Sequence, residues 1–135
     1  MFELRNNTRK LRDSVKKALQ EASGISAVFY RRVPATQAPP FVAFLLDLMT
    51  QEGCISQYLL TVECSSYGID DDIIDDLADK IQYGMEDCAV LDATHTWNCW
   101  CNSRQSADES DKNILRRRMD FTLRYIGGED NEQTV

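Results

Sequence analysis

Residues 115–125 read Leu-Arg-Arg-Arg-Met-Asp-Phe-Thr-Leu-Arg-Tyr, and they alternate between two kinds of side chain. Successive side chains of a β-strand point to opposite faces of the sheet, so this alternation predicts a strand. One face carries Leu115, Arg117, Met119, Phe121, Leu123 and Tyr125, and the other carries Arg116, Arg118, Asp120, Thr122 and Arg124. We expect the first of these faces to lie toward the core.

The polar face of this strand carries Arg116, Arg118 and Arg124. Three arginines are costly to bury without partners, so we expect this face to meet solvent or another subunit. Nucleic acid is a rival partner, but the face has no interleaved aromatic residues and the chain has a formal net charge of −7. Both features argue against a dedicated single-strand binder, while a channel lining that DNA merely passes stays open.

Four further stretches read as strands. Residues 27–33 are rich in β-branched and aromatic residues, and the nearly continuous apolar run 41–49 predicts a strand covered on both faces. Residues 57–66 alternate, and residues 93–102 form a strand whose two faces are hard to rank. Residues 51–56 are expected to be a turn and 103–113 a loop, and both are candidates to become ordered on docking.

Two amphipathic helices complete the pattern. Apolar residues recur at helical spacing from Leu4 to Ala22, and Ser23-Gly24 ends that helix. A second helix follows the carboxylates of residues 70–72, which suit the positive end of a helix dipole. Its buried stripe is predicted to consist of Ile73, Ile74, Leu77, Ala78, Ile81 and Met85.

The element order αβββαββ predicts an α+β fold, with a mixed, mostly antiparallel sheet of about five strands and two helices packed on one face. A chain of 135 residues suits one domain with one core. We assign residues 1–127 to this domain and residues 128–135 to a flexible acidic tail. No apolar run reaches the roughly 18 residues of a membrane span, and five cysteines without a secretory signal are expected to be reduced thiols in the cytosol.

Charge is unevenly divided between the helices. Residues 5–17 hold six basic residues against one acidic residue, and residues 70–87 hold eight acidic residues against one lysine. Solvated helix faces explain each run taken singly, whereas electrostatic docking between subunits explains both together. The sequence therefore predicts a subunit or partner interface that includes Arg5, Arg9, Arg12, Lys16, Asp72, Asp75, Asp76, Asp79, Arg116, Arg118 and Arg124.

Catalytic chemistry has little support in the sequence. His95, Cys99 and Cys101 are the only cluster of metal-ligand residue types, and their spacing on a strand requires distortion and a fourth ligand to make a tetrahedral site. A thiol nucleophile would need His95 as its base, with Cys64 across the sheet as an open pairing. No glycine-rich nucleotide loop occurs. We expect no catalytic site, no metal and no cofactor, and cysteines that pack as small apolar residues.

Several stretches together carry a family resemblance. They are the leading helix with Leu11 and Val15, YRRVP at 30–34, PFV at 40–42, LTVEC at 60–64 running into an acidic helix, and RRRMDFTLRY at 116–125. On these residues the chain resembles the tail-terminator and tail-completion (minor tail) proteins of tailed phages, of the lambda tail-terminator kind. The resemblance covers the chain from about Leu4 to Tyr125.

This resemblance implies a structural protein of phage or prophage morphogenesis that forms a hexameric ring, caps the completed tail tube and joins it to the head connector. It implies contacts with the tail-tube and head-connector proteins and non-specific DNA passage through the ring, with no membrane and no small-molecule substrate. The protein would be made in the bacterial cytoplasm and would reside in the tail or neck of the virion.

Two alternatives stay open. One is another head-tail neck or adaptor protein, and the weaker one is a small metal- or thiol-dependent enzyme that uses His95, Cys99 and Cys101. The five cysteines and the segment 97–101 depart from the family pattern, and they are the features that favour the enzyme.

Overall fold

The computed structural model describes residues 8–68, 70–86, 90–91, 95–107 and 113–127. Two helices and six strands follow in the order α1 (Thr8–Ser23), β1 (Val28–Tyr30), β2 (Phe41–Glu52), β3 (Ile55–Tyr67), α2 (Asp72–Glu86), β4 (Val90–Leu91), β5 (His95–Ser106) and β6 (Ile114–Gly127). The strands form one sheet in the order β1-β2-β3-β6-β5-β4. The proposed acidic tail, together with Leu4 and Arg5, lies outside the described residues.

The sheet is mixed, because β1 pairs with β2 in parallel and all other neighbours are antiparallel. Both helices pack on one face of it. The predicted α+β class is confirmed, and the two-residue strand β4 is an addition to the five predicted strands. Neither helix of the described chain combines the length and the apolar character needed to cross a membrane.

β6 has the alternation that its sequence predicts. Met119, Phe121, Leu123 and Tyr125 are at most 1% exposed on the face that the helices cover. They lie beside the alternating core residues of β3, with Leu60 opposite Phe121 and Val62 opposite Met119. This layer of side chains between the central strands and the helices is the hydrophobic core.

The β1 strand is shorter than the predicted 27–33, because Arg31 adopts a left-handed backbone with φ of 70°. The Arg31 N–H still donates to the Phe44 carbonyl at 2.8 Å, and the chain then leaves the sheet. The prediction that residues 41–49 are covered on both faces holds for Phe41–Leu46, which are all buried or half-buried, and is wrong for Asp47–Met49, which are exposed. The predicted six-residue turn is also wrong, because strand pairing continues to Glu52 opposite Ile55 and leaves a two-residue turn.

A β-bulge lies in β5, where the pairing with β6 shifts between Cys101 and Ser103. An extra residue reverses the side-chain alternation beyond it. The strand continues to Ser106, four residues past the predicted end, so the first part of the predicted loop is strand. Residues 108–112 of that loop lie outside the described part of the chain.

The helix ends follow the predicted chemistry. Ser23 Oγ donates to the Leu19 carbonyl at 2.7 Å, and Gly24 follows with φ of 75°, as a helix C-terminus requires. At the start of α2, the Asp72 N–H donates to Asp70 Oδ1 at 3.1 Å. The buried stripe of α2 is confirmed except at Ile73, whose side chain is 58% exposed.

The two helices approach closely at Gly84 and Ala22. A Cβ added to Gly84 would lie 2.5 Å from the Ala22 Cβ and 3.1 Å from its Cα. A real Cβ atom does not tolerate the shorter of these distances, so the helix crossing depends on a glycine at this position.

Candidate interaction surfaces

A cluster of ion pairs fastens α2 to the sheet. Arg117, on the helix-covered face of β6, donates from Nε to Asp75 Oδ1 at 2.9 Å, and its guanidinium lies 3.3 Å from Asp71. Arg104 of β5 donates to Asp79 Oδ1 at 2.6 Å and to Gln82 at 3.1 Å. The carboxylates are about half exposed, so the cluster sets the position of α2 more than it stabilises the fold.

The β5 bulge makes this cluster possible. Without the extra residue, the alternation that points Cys99 and Cys101 toward the helices would direct Arg104 to the opposite face. Burial alone would lower the pKa of Arg104, but its bond to Asp79 and the charge of Asp75 outweigh burial and raise the pKa. Arg104 was not among the predicted site residues, because a bulge has no signal in this sequence.

The predicted acidic surface on α2 therefore divides into two parts. Asp75 and Asp79 bind arginines of their own subunit, whereas Asp72 and Asp76 are exposed to solvent. Ile73 and Tyr83 are exposed beside them, at 58% and 61%.

The basic surface on α1 is also only partly free. Arg9 and Lys16 are exposed, and Arg12 places its guanidinium carbon 4.8 Å from the centre of the Tyr30 ring. This cation–π contact holds α1 against β1. Arg5, the fourth predicted basic residue, lies outside the described residues.

The uncovered face of the sheet carries both signs of charge. Arg118 Nε lies 3.3 Å from Asp120 Oδ1, and Glu63 is the cross-strand neighbour of Arg118. Arg124 is exposed, and Arg116 lines a cleft below the loop of residues 33–39. The predicted three-arginine face is therefore a mixed-charge face, because carboxylates from β3 and β6 alternate with the arginines.

The residues considered for catalysis lie apart from one another. Cys64 pairs with Arg117 and His95 with Gly127, positions ten residues apart on β6, so roughly 33 Å separates them along the strand. Burial also raises the pKa of the Cys64 thiol to about 11. The Cys64–His95 pairing left open by the sequence is therefore wrong.

His95, Cys99 and Cys101 have other contacts. The His95 ring stacks on Tyr125 with ring centres 5.6 Å apart, and Cys99 Sγ donates to the Met85 carbonyl at 3.4 Å. Cys101 Sγ donates to the Ser103 carbonyl at 3.4 Å. Among the residues that the structure describes, no group of three or more His, Cys, Asp or Glu side chains is arranged to hold a metal ion.

Comparisons with known proteins bear on the fold. No family model and no curated protein matches the chain. A chain of the solved structure "Virion of native gene transfer agent (GTA) particle" is similar, with a TM-score of 0.61 and 15% sequence identity. The similarity covers 81% of this chain and 84% of that chain, so the two share nearly the whole domain architecture.

Proposed function

We propose that this protein is a structural component of a phage or phage-like particle, which caps the completed tail tube as a ring and joins the tube to the head connector. The observation that carries the proposal is the shared fold with a chain of the gene transfer agent virion, over more than four-fifths of both chains. The family resemblance of the sequence points to the same class of protein, on residues from both helices and four strands.

The arrangement of surfaces supports an assembly role. Copies of one chain build a ring through heterologous contacts, in which one surface meets a different surface of the next copy. The exposed basic residues of α1 and the exposed acidic residues of α2 supply two such surfaces of opposite charge. The uncovered sheet face offers a further surface for the tail-tube or connector protein, with arginines and carboxylates as polar anchors.

The mixed charge of that sheet face bears on the passage of DNA. A protein that grips DNA neutralises phosphates with clustered lysine and arginine residues. Glu63 and Asp120 interrupt the arginines here, so a lumen lined by this face would hold phosphate weakly. Weak contact suits a channel through which DNA moves.

Light scattering and negative-stain electron microscopy of the purified protein test the proposal. We expect rings, either of the protein alone at high concentration or on addition of isolated tail tubes. A protein that stays monomeric at every concentration and neither binds tail tubes nor limits their length would rule out the proposed function. Binding to head connectors but not to tubes would instead indicate an adaptor elsewhere in the neck.

A further inference from the structure

The outward faces of the two helices carry matching triplets of residues. On α1 the triplet is Arg9, Asp13 and Lys16, and on α2 it is Asp76, Lys80 and Tyr83. Both triplets are spaced by four and then three residues, so each forms one ridge along its helix. All six side chains are exposed, and each ridge lies opposite the buried stripe of its helix.

The chemistry of one ridge complements that of the other, position by position. With the helices running in the same direction, Arg9 meets Asp76, Asp13 meets Lys80, and Lys16 meets the ring of Tyr83. The first two pairs join opposite charges, and the third places a cation over an aromatic face, as Arg12 and Tyr30 do within the subunit.

From this match, we infer that the α1 ridge of one copy docks on the α2 ridge of another copy. The inference rests on the proposed ring assembly and names the contact that would build it. Asp75 and Asp79 are bound to Arg117 and Arg104 of their own subunit, so they are not part of the docking ridge.

An apolar contribution strengthens the α2 side of the contact. Tyr83 is 61% exposed and Ile73, one turn before Asp76, is 58% exposed. Exposed large apolar side chains beside charged ones are typical of interface anchors, and tyrosine is enriched among the residues that carry binding energy. The methylene stem of a lysine such as Lys16 covers such a surface while its ammonium group stays in water.

Charge reversal tests the match, because the central pair has opposite signs on the two ridges. The variants are Asp13→Lys, Lys80→Asp and the double variant, and their association is measured by sedimentation at low salt. We expect each single reversal to weaken association about fivefold per contact, since it replaces one attraction by a repulsion. The double variant should recover the wild-type association to within about twofold.

Mixing the two single variants gives a second readout. In an alternating assembly, the lysine introduced at position 13 never has to face Lys80, because every α1 that carries this lysine meets an α2 that carries the introduced aspartate. We therefore expect an equimolar mixture of Asp13→Lys and Lys80→Asp chains to assemble at a total concentration at which either variant alone stays dissociated. Glu21→Lys, an equal charge change on α1 outside the ridge, is the matched control and should leave association unchanged.

Tyr83→Ala provides a variant without any charge change. Because the side chain is mostly exposed, its removal should leave the thermal unfolding midpoint nearly unchanged while it weakens association about tenfold. Rings that form equally well in all these variants would overturn the inferred contact and leave the proposed function standing. A wild-type protein that never assembles, even on tail tubes, would instead remove the proposed function itself.

Discussion

Replacement of Gly84 by alanine tests the close helix crossing. In an unconstrained helix this change would stabilise the protein by about 1 kcal/mol, because glycine is the weaker helix former. Here the new methyl group would lie 2.5 Å from the Ala22 Cβ and 3.1 Å from the Ala22 Cα. Neither atom belongs to a flexible side chain, so α1 and α2 must separate at a cost of about 1–3 kcal/mol.

The cost of separation less the gain in helix propensity predicts that Gly84→Ala lowers the free energy of unfolding by up to about 2 kcal/mol, a fall in the melting temperature of up to roughly 8 °C. Chemical denaturation of the wild type, Gly84→Ala, Ala22→Gly and the double variant gives the coupling between the two positions. The double variant lacks the clash between the two Cβ atoms. It should therefore be about 2 kcal/mol more stable than the sum of the two single changes predicts. A Gly84→Ala protein more stable than the wild type would refute the close approach of the helices.

Three further changes test other parts of the structure. Arg31→Gly should stabilise the fold by about 1 kcal/mol in thermal denaturation, because glycine adopts the φ of 70° without strain; a loss of stability would contradict this. Arg117→Met should destabilise it by only about 1 kcal/mol, since water can solvate the half-exposed Asp75 and the more exposed Asp71; a loss above about 3 kcal/mol would show a buried ion pair instead. Burial raises the pKa of Cys64 from 9.0 to about 11, so the folded protein binds its proton more tightly than the unfolded chain. The contribution of this thiol to stability should therefore be constant below pH 9 and fall between pH 9 and 11. Denaturation across this pH range measures it as the difference in the free energy of unfolding between the wild type and Cys64→Ala. A difference that does not fall above pH 9 would show a solvated thiol instead.

The regular elements could be predicted because their signal is periodic. The alternation in β6 and the helical stripe from Leu11 to Leu19 each follow from burial on one face of one element. Most of the predicted core residues of both elements are buried, and Ala22 and Leu115 are partly buried. The hydrophobic pattern of the sequence therefore predicts the structure correctly where the burial of a side chain depends on one face of its own helix or strand.

Features that depend on two elements could not be predicted. The left-handed backbone of Arg31 shortens β1, and the bulge in β5 turns the Arg104 side chain toward the helices. The close contact at Gly84 depends on the position of α1. One signal was nevertheless present in the sequence. Arg117 occupies the apolar face of a strand, and a cation there needs a carboxylate from the layer above, which Asp75 of α2 provides.

Ile73 illustrates why the candidate interface was only partly foreseen. Its apolar side chain lies one residue before Ile74 in the sequence, next to the helical stripe of α2, so the hydrophobic pattern assigns it to the core. In the structure, Ile74 occupies the core position and Ile73 is exposed beside Asp76 and Tyr83. An apolar residue that the core does not need is then free to serve a contact between copies.

Electron microscopy of isolated tail tubes, incubated with the purified protein, addresses assembly at the tube end most directly. If the protein caps the tube, the images will show an additional ring of density at one end of each tube, and tubes polymerised in its presence will stop lengthening. The Lys80→Asp protein should leave the ends bare and recover the ring when Asp13→Lys chains are added. Bare tube ends with the wild-type protein, together with a monomeric mass in solution, would contradict the account.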